Sequence, residues 1–392
     1  MEYKTKGIYV AKTVEDVLQL KDEWKKLQKH PNSDFYQYLW SITELNSQAK
    51  PYVLYSIDKG GHVESILIGR RESERLDIRL GYFSLYRPKI NKLTFIYEGL
   101  LGKESKELSE RYVHKICEGL KNKVADIAWF NHLKKDSSLL NYEIKLPNRF
   151  TREIDLPLTK HWAMTLPLTT NDFWKRMSAK HRYWLKRLPK YLEKCHPGKV
   201  SYEAYRHISQ IDELCNAAEF VSRKTYQRAL GVGYRNSKPI RSRMRRYAER
   251  GHLRAYVCFV EREPIAFWIG FIYEKIFHLA YTGYDPKWRK YEVGTILFIR
   301  MIEDLIQHDR AVVEQIDFGL GDAEYKKRFG DTSWEETSLF IYSSTWKSKK
   351  IKFLRDTSNK ARRCFEMLLK KCDLEQKIKT LWRRRKTLVL RD

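Results

Sequence analysis

Tyr281-Thr282-Gly283-Tyr284-Asp285-Pro286-Lys287-Trp288-Arg289-Lys290-Tyr291-Glu292-Val293-Gly294-Thr295-Ile296-Leu297 is the stretch on which the reading of this chain turns. A strand-like run ends, a short basic loop follows, and a glycine opens an apolar helical pattern. Such a junction aims free backbone N–H groups and the positive end of a helix at the space before it, which suits a phosphate. Gly294 would let a pyrophosphate approach without a Cβ in the way, and Arg289 and Lys290 add positive charge. The same residues also suit an ordinary strand–helix turn.

Working outward, this stretch falls in the second of two similar arrangements. Arg254–Val260 and Pro264–Gly270 alternate as strands about the turn Glu261-Arg262-Glu263. Ile276–Thr282 reads as a strand, Val293–His308 as a helix and Ile316–Gly319 as a closing strand. In the first half Tyr52–Ile57 and Val63–Gly69 flank Asp58-Lys59-Gly60-Gly61. Leu93–Gly99, a helix over Ser105–Lys121 and the strand Asp126–Phe130 follow. Each half opens with a helical stretch, Val14–Gln28 and Ile211–Arg228. The repeated order of helix, hairpin, strand, helix, strand predicts an α/β fold of two lobes. Phe173–Arg187 reads as one basic, aromatic helix stopped near Pro189.

The next informative segment is Asp317-Phe318-Gly319-Leu320-Gly321-Asp322, followed by Tyr325 and Lys326 on a short helix. A carboxylate at a strand end can act as a base or position an amine, and a tyrosine hydroxyl can protonate a leaving thiolate. Asp317 also suits a turn-capping role. The Asp-Phe-Gly tripeptide has no kinase-type catalytic loop upstream of it and no glycine-rich nucleotide loop near the N-terminus, and GxSxG and GxxxxGK[ST] are absent, so the kinase, the α/β-hydrolase elbow and the P-loop are excluded.

The 392 residues carry 76 lysines and arginines against 49 acidic residues, a net charge of +27. That excess implies a polyanionic partner: nucleic acid, a phosphate-bearing co-substrate, an acidic carrier protein or an anionic membrane surface. Six scattered cysteines without a CxxC pair argue against a disulfide framework or a zinc finger. No HExxH or His/Cys cluster marks a metal site, so none is expected. Met1–Lys6 has no apolar segment behind it, and no apolar run approaches the roughly 20 residues of a membrane span. The expectation is a cytoplasmic protein, peripheral at most to the inner face of the membrane. Lys347–Asp392 holds 17 basic and 5 acidic residues. Its apolar positions Ile351, Leu354, Ala361, Phe365, Leu368 and Cys372 fall on one helical face, which suits anionic lipid, an acidic carrier protein or packing on the second lobe.

The quoted motifs resemble the GNAT acyltransferase superfamily, most closely its two-lobed BioF2-like or CelD-like branch, related to the FemABX aminoacyltransferases. The likeness runs over about residues 14 to 345. It includes Trp24-Lys25-Lys26-Leu27, Phe35–Trp40 and Ser178–Arg187, and is strongest at Gly283–Leu297 and Asp317–Lys326. It implies tandem lobes, each a mixed, mostly antiparallel sheet flanked by helices, over 1–165 and 166–346, with a basic helical tail over 347–392. It implies an N-acyltransferase using acyl-CoA (acetyl-CoA) or an acyl carrier protein as donor and an amine as acceptor, with aminoacyl-tRNA as the alternative donor. A degenerate scaffold that binds RNA or membrane is the third possibility, with Trp174, Tyr183 and Trp184 either stacking on bases or packing between lobes.

The implied donor site comprises Tyr281, Thr282, Gly283, Arg289, Lys290, Val293, Gly294 and Thr295. Here Arg289 and Gly294 match the family's basic glycine loop, the second glycine or alanine is absent, and the spacing is stretched. The implied catalytic residues are Asp317, which helps deprotonate the amine, and Tyr325, which protonates the thiolate. Lys326 joins them or binds an acceptor carboxylate or carrier phosphate. The equivalent first-lobe loop, Glu98–Glu104, is acidic, so that lobe is expected to be non-catalytic.

Overall fold

The structure, a computed structural model, describes residues 7–45, 48–80, 83–140, 146, 150–154, 158–225, 228 and 233–371. The chain forms two compact units, one built from 1–160 and 334–375, the other mainly from 161–333. The units therefore depart from a simple division at 165 and 346.

The first unit contains β1 (Gly7–Ala11), α1 (Val14–Gln19), α2 (Lys21–Leu27), α3 (Phe35–Trp40), β2 (Val53–Ile57), β3 (Val63–Arg75), β4 (Lys89–Gly102), α4 (Lys106–Lys121), β5 (Ile127–Lys134) and β6 (Thr151–Ile154). The chain continues through β7 (Thr159–Thr165), α5 (Thr170–Lys175), α6 (Ala179–Cys195), β8 (Val200–Tyr205), α7 (Ile211–Ser222) and α8 (Lys238–Glu249). Next come β9 (Leu253–Val260), β10 (Glu263–Tyr273), β11 (Ile276–Tyr284), a 3-10 turn (Pro286–Tyr291), α9 (Val293–His308), β12 (Gln315–Leu320), α10 (Glu324–Phe329), β13 (Thr332–Tyr342) and α11 (Trp346–Lys371).

In the first unit the strand order is β1-β2-β3-β4-β5-β13, with β6 also on β13; in the second it is β8-β9-β10-β11-β12-β7. Each sheet is antiparallel except at one pair, β4 with β5 and β11 with β12. The sixth strand is exchanged in sequence: β7, after the first half, pairs with β12, while β13, after the second half, pairs with β5.

Strand alternation places successive side chains on opposite faces. In β9, Tyr256 and Cys258 join the core beneath α5, α6 and α9, while Ala255 and Val257 join the core beneath α7 and α8. In the first unit, Leu54 and Leu67 face α4, while Val53, Tyr55, Ile66 and Ile68 face the cluster holding Trp24 and Phe35.

Three expectations are corrected. Val14–Gln28 is two short helices meeting at Leu20. Phe173–Arg187 is also two helices, because Ser178 caps α6 by accepting the His181 N–H. Pro189 lies inside α6 instead of ending it; burial of Leu185, Leu188 and Leu192 outweighs the lost backbone donor. The tail's opening turns belong to the first unit, where Ile351 is buried beside Ile78, Ile127 and Phe340. The tail side chains from 362 on, and everything beyond 371, lie outside the described residues. No described helix is long and apolar enough to cross a membrane.

Candidate active site

β11 and β12 run parallel for three paired positions only, Ile276 with Gln315, Phe277 with Ile316 and His278 with Asp317. Beyond that point they separate. On its other side β11 stays paired with β10 out to Tyr284, and a bulge at Ala280 shifts the register between Leu279 and Tyr281. Among the described residues, the β11 edge that faces away from β10 is therefore unpaired beyond His278. Tyr281, Thr282 and Gly283 lie on this part of the strand. The Tyr281 ring packs on Tyr234, and a Cβ at Gly283 would stand 2.8 Å from Phe267, so both residues offer the cleft their backbone.

Arg289 and Lys290 are exposed on the 3-10 turn, which Asp285 caps while bonded to Lys224 at 2.8 Å. At the start of α9 the Val293 side chain is buried in the core. The first helical bonds run from the Thr295 and Ile296 N–H groups to the Glu292 carbonyl, so the Val293 and Gly294 N–H groups precede the ladder. A Cβ at Gly294 would meet only Tyr284, at 3.5 Å, so packing does not demand glycine there. Thr295 Oγ1 donates to the Glu292 carboxylate at 3.1 Å, which sets a negative charge beside this helix end.

Asp317 sits at the point of separation. One carboxylate oxygen bonds His161 Nε2 at 2.5 Å and accepts the Gly319 N–H at 2.6 Å; the other bonds His278 Nδ1 at 3.2 Å. Burial raises the proton affinity of Asp317, but the hydrogen bonds and charge of the two histidines outweigh it and hold the carboxyl far below the usual carboxylate range. The following turn needs left-handed backbone at Gly319 (φ 71°) and Gly321 (φ 103°). Lys326 closes that turn: its ammonium donates to the Gly319 and Leu320 carbonyls at 2.9 and 2.5 Å, and burial pushes its pKa down to about 8 against the attraction of Asp317. Tyr325 packs its ring on Trp268, Phe298 and Phe318 at 5.2, 5.4 and 6.1 Å between centroids.

The structure thus brings Asp317 and Lys326 together on one turn and places Tyr325 beside them in sequence. Arg289, Lys290, Gly294 and Thr295 gather around the start of α9. His161 and His278 escaped the sequence reading. His161 precedes Asp317 by 156 positions, and His278 meets it only through the parallel register.

Residues 179–327 match the family described as the acetyltransferase (GNAT) domain. No curated protein matches the chain in sequence. Among solved structures, FemX superposes with a TM-score of 0.53 at 10% identity, over 83% of this chain and 95% of FemX. A conserved protein of unknown function from Bacteroides thetaiotaomicron VPI-5482 superposes with a TM-score of 0.50 at 11% identity, over 85% of this chain and 100% of its own. At those identities the likeness is one of fold. The matched family segment begins at α6 and ends within α10, so it takes in both diverging strands and the start of α9; this segment of the chain is similar to the acetyltransferase (GNAT) domain.

Proposed function

We propose that the second unit carries an N-acyltransferase site that moves an acyl group from a thioester, acyl-CoA or a carrier-protein thioester, to an amine. The separation of β11 from β12 at His278 and Asp317 carries this reading. It sets an open strand edge beside a buried acid–imidazole pair. The donor lies along that edge, whose free N–H groups polarise the thioester carbonyl. Its phosphates lie toward the Val293 and Gly294 N–H groups, with Arg289 and Lys290 offsetting Glu292.

Both Asp317 oxygens are committed, to His161 and the Gly319 N–H on one side and to His278 on the other, so we do not assign it as the base. It orients an imidazole, and we assign His278 as the group that takes the proton. With Nδ1–H directed at Asp317, the Nε2 of His278 accepts a proton from the amine as the amine attacks the carbonyl carbon. The C–N bond forms and the C–S bond breaks. The thiolate then takes the Tyr325 hydroxyl proton, which His278 restores through solvent. Lys326 holds the turn that carries Asp317.

Thermal unfolding against acetyl-CoA, a long-chain acyl-CoA and bulk tRNA tests the donor class. A ligand that binds only the native state adds about 2.7 kcal/mol at a hundredfold excess over Kd. A shift with a CoA ester that is lost in Gly294→Glu supports the thioester reading. No shift with any CoA ester, beside a salt-sensitive response to tRNA, favours an aminoacyl ester of tRNA as donor. The net charge of +27 makes that second reading worth testing.

A further inference from the structure

The helix α6 is placed by one buried stripe, Leu185, Leu188 and Leu192, which turns the rest of its surface outward. Lys180, Tyr183, Arg187, Lys190, Tyr191 and Lys194 recur on that outward side at helical spacing, over about 21 Å of axis. Tyr183 is 67% exposed, Tyr191 48% and Trp184 37%. The helix packs against the 3-10 turn through Tyr191 on Tyr291, with ring centroids 5.6 Å apart, so Lys287, Arg289 and Lys290 extend the same basic surface. Together the helix and the turn present nine lysines and arginines against the single carboxylate of Glu193. None of the nine forms an ion pair among the described residues. The Glu193 carboxylate is engaged locally, accepting the Gly198 N–H at 2.8 Å.

We propose that this face of α6 binds single-stranded RNA, with phosphates on the helix cations, bases stacked on Tyr183 and Tyr191, and Arg289 and Lys290 of the adjoining turn left to the donor. Charge alone does not distinguish RNA from an anionic membrane; the rings do. An interfacial helix sinks leucine, phenylalanine or tryptophan into the acyl region, whereas Trp184 is held between His181 and Arg328, 5.7 and 5.2 Å from its ring. Here the large apolar side chains on the exposed face of α6 are aromatic only, while the leucines are committed to the core. Exposed rings set among unpaired cations are what single-strand binding uses, since every base has a stackable face. Arg187 lies 6.0 Å from the Tyr183 ring centroid, which keeps a cation beside that platform. Trp174, by contrast, is buried and donates to Glu303 at 3.1 Å, so it belongs to the core. The surface stands whether the acyl donor is a thioester or an RNA ester.

The test uses the full chain and a fluorescently labelled single-stranded RNA 12-mer, its duplex, and vesicles with and without anionic lipid. Tyr183→Ala and Tyr191→Ala are each expected to weaken 12-mer binding about fivefold or more while leaving the salt dependence unchanged. Lys190→Gln with Lys194→Gln should lower the slope of log K against log salt by about 1.4. None of these four side chains is in the core, and unfolding temperature checks each variant. Equal affinity for the duplex, or tyrosine variants that bind as wild type does, would overturn the proposal. So would binding confined to anionic vesicles. Thermal shifts with CoA esters, run on the same tyrosine variants, should be unchanged, so failure of the donor reading and failure of this one are separable.

Discussion

The two sheets open at the same place in their topology, but the last paired residues before the opening differ in kind. In the first unit these are Phe95 and Phe130, stacked with centroids 4.7 Å apart and both buried. In the second unit they are His278 and Asp317, hydrogen-bonded at 3.2 Å. Beyond the phenylalanines the first opening holds a cavity of about 220 Å³, into which acidic side chains turn. Glu98 is paired with Lys134 at 3.1 Å, and Glu104 accepts from Ser137 and Ser138. The fold provides the opening in both units; the residues at its apex decide whether it can move a proton. We therefore read the first unit as a scaffold and the second as the site.

Substitution at the two apices should separate chemistry from stability. Asp317→Asn keeps the volume but removes the charge that orients His278, and acyl transfer is expected to fall by about 10² to 10⁴. Single-turnover rates at saturating donor would show it, and near-wild-type turnover would remove Asp317 from the mechanism. Phe130→Ala should do the reverse. It leaves a cavity costing about 3–5 kcal/mol in denaturant unfolding, with the rate per folded molecule unchanged. A lost rate at intact stability would place chemistry in the first unit and end the comparison.

Most of the scaffold around these apices was legible because it is local. The hairpins show alternation on either side of a turn, and Val293–His308 was read with the bounds it has. The closing strand and the turn after Asp317 were visible from glycine and carboxylate spacing. The two histidines were not, because strand exchange brings His161 to Asp317 from the far end of the first half, and no periodicity encodes register. The break at Ser178 was missed because one cap overrides a continuous helical pattern. The tail was open to several partners in sequence; Ile351 chooses the first unit by burial, which charge counting cannot show.

Lys326 offers a smaller effect with a definite sign. Its pKa is about 8 in the fold and about 10.4 in an unfolded chain, so between those values the unfolded state binds more protons. Stability should rise as pH climbs through that window, and the full penalty of about 3 kcal/mol applies below it. Lys326→Met should lose this slope. Denaturant midpoints for both proteins from pH 7 to 10.5 would test it, and parallel curves would contradict a buried, ionised lysine at the turn.

The smallest expected effects lie at the two helix starts that face the openings. α4 is closed by its own cap, Ser105 accepting the Leu108 N–H at 3.2 Å, with Glu107 in the first turn. α9 has no side-chain cap hydrogen bond and shows Gly294 instead. Ser105→Ala should cost about 1 kcal/mol of stability and leave donor binding alone. Gly294→Ala has room in the protein, so it should leave stability within about 0.5 kcal/mol while raising the donor KM several-fold. The added methyl then meets the donor and nothing else. A Gly294→Ala enzyme with unchanged KM would mean that the donor does not approach α9 closely. The open helix start would then be a consequence of the Glu292 backbone, which is left-handed at φ 54°, and not a site.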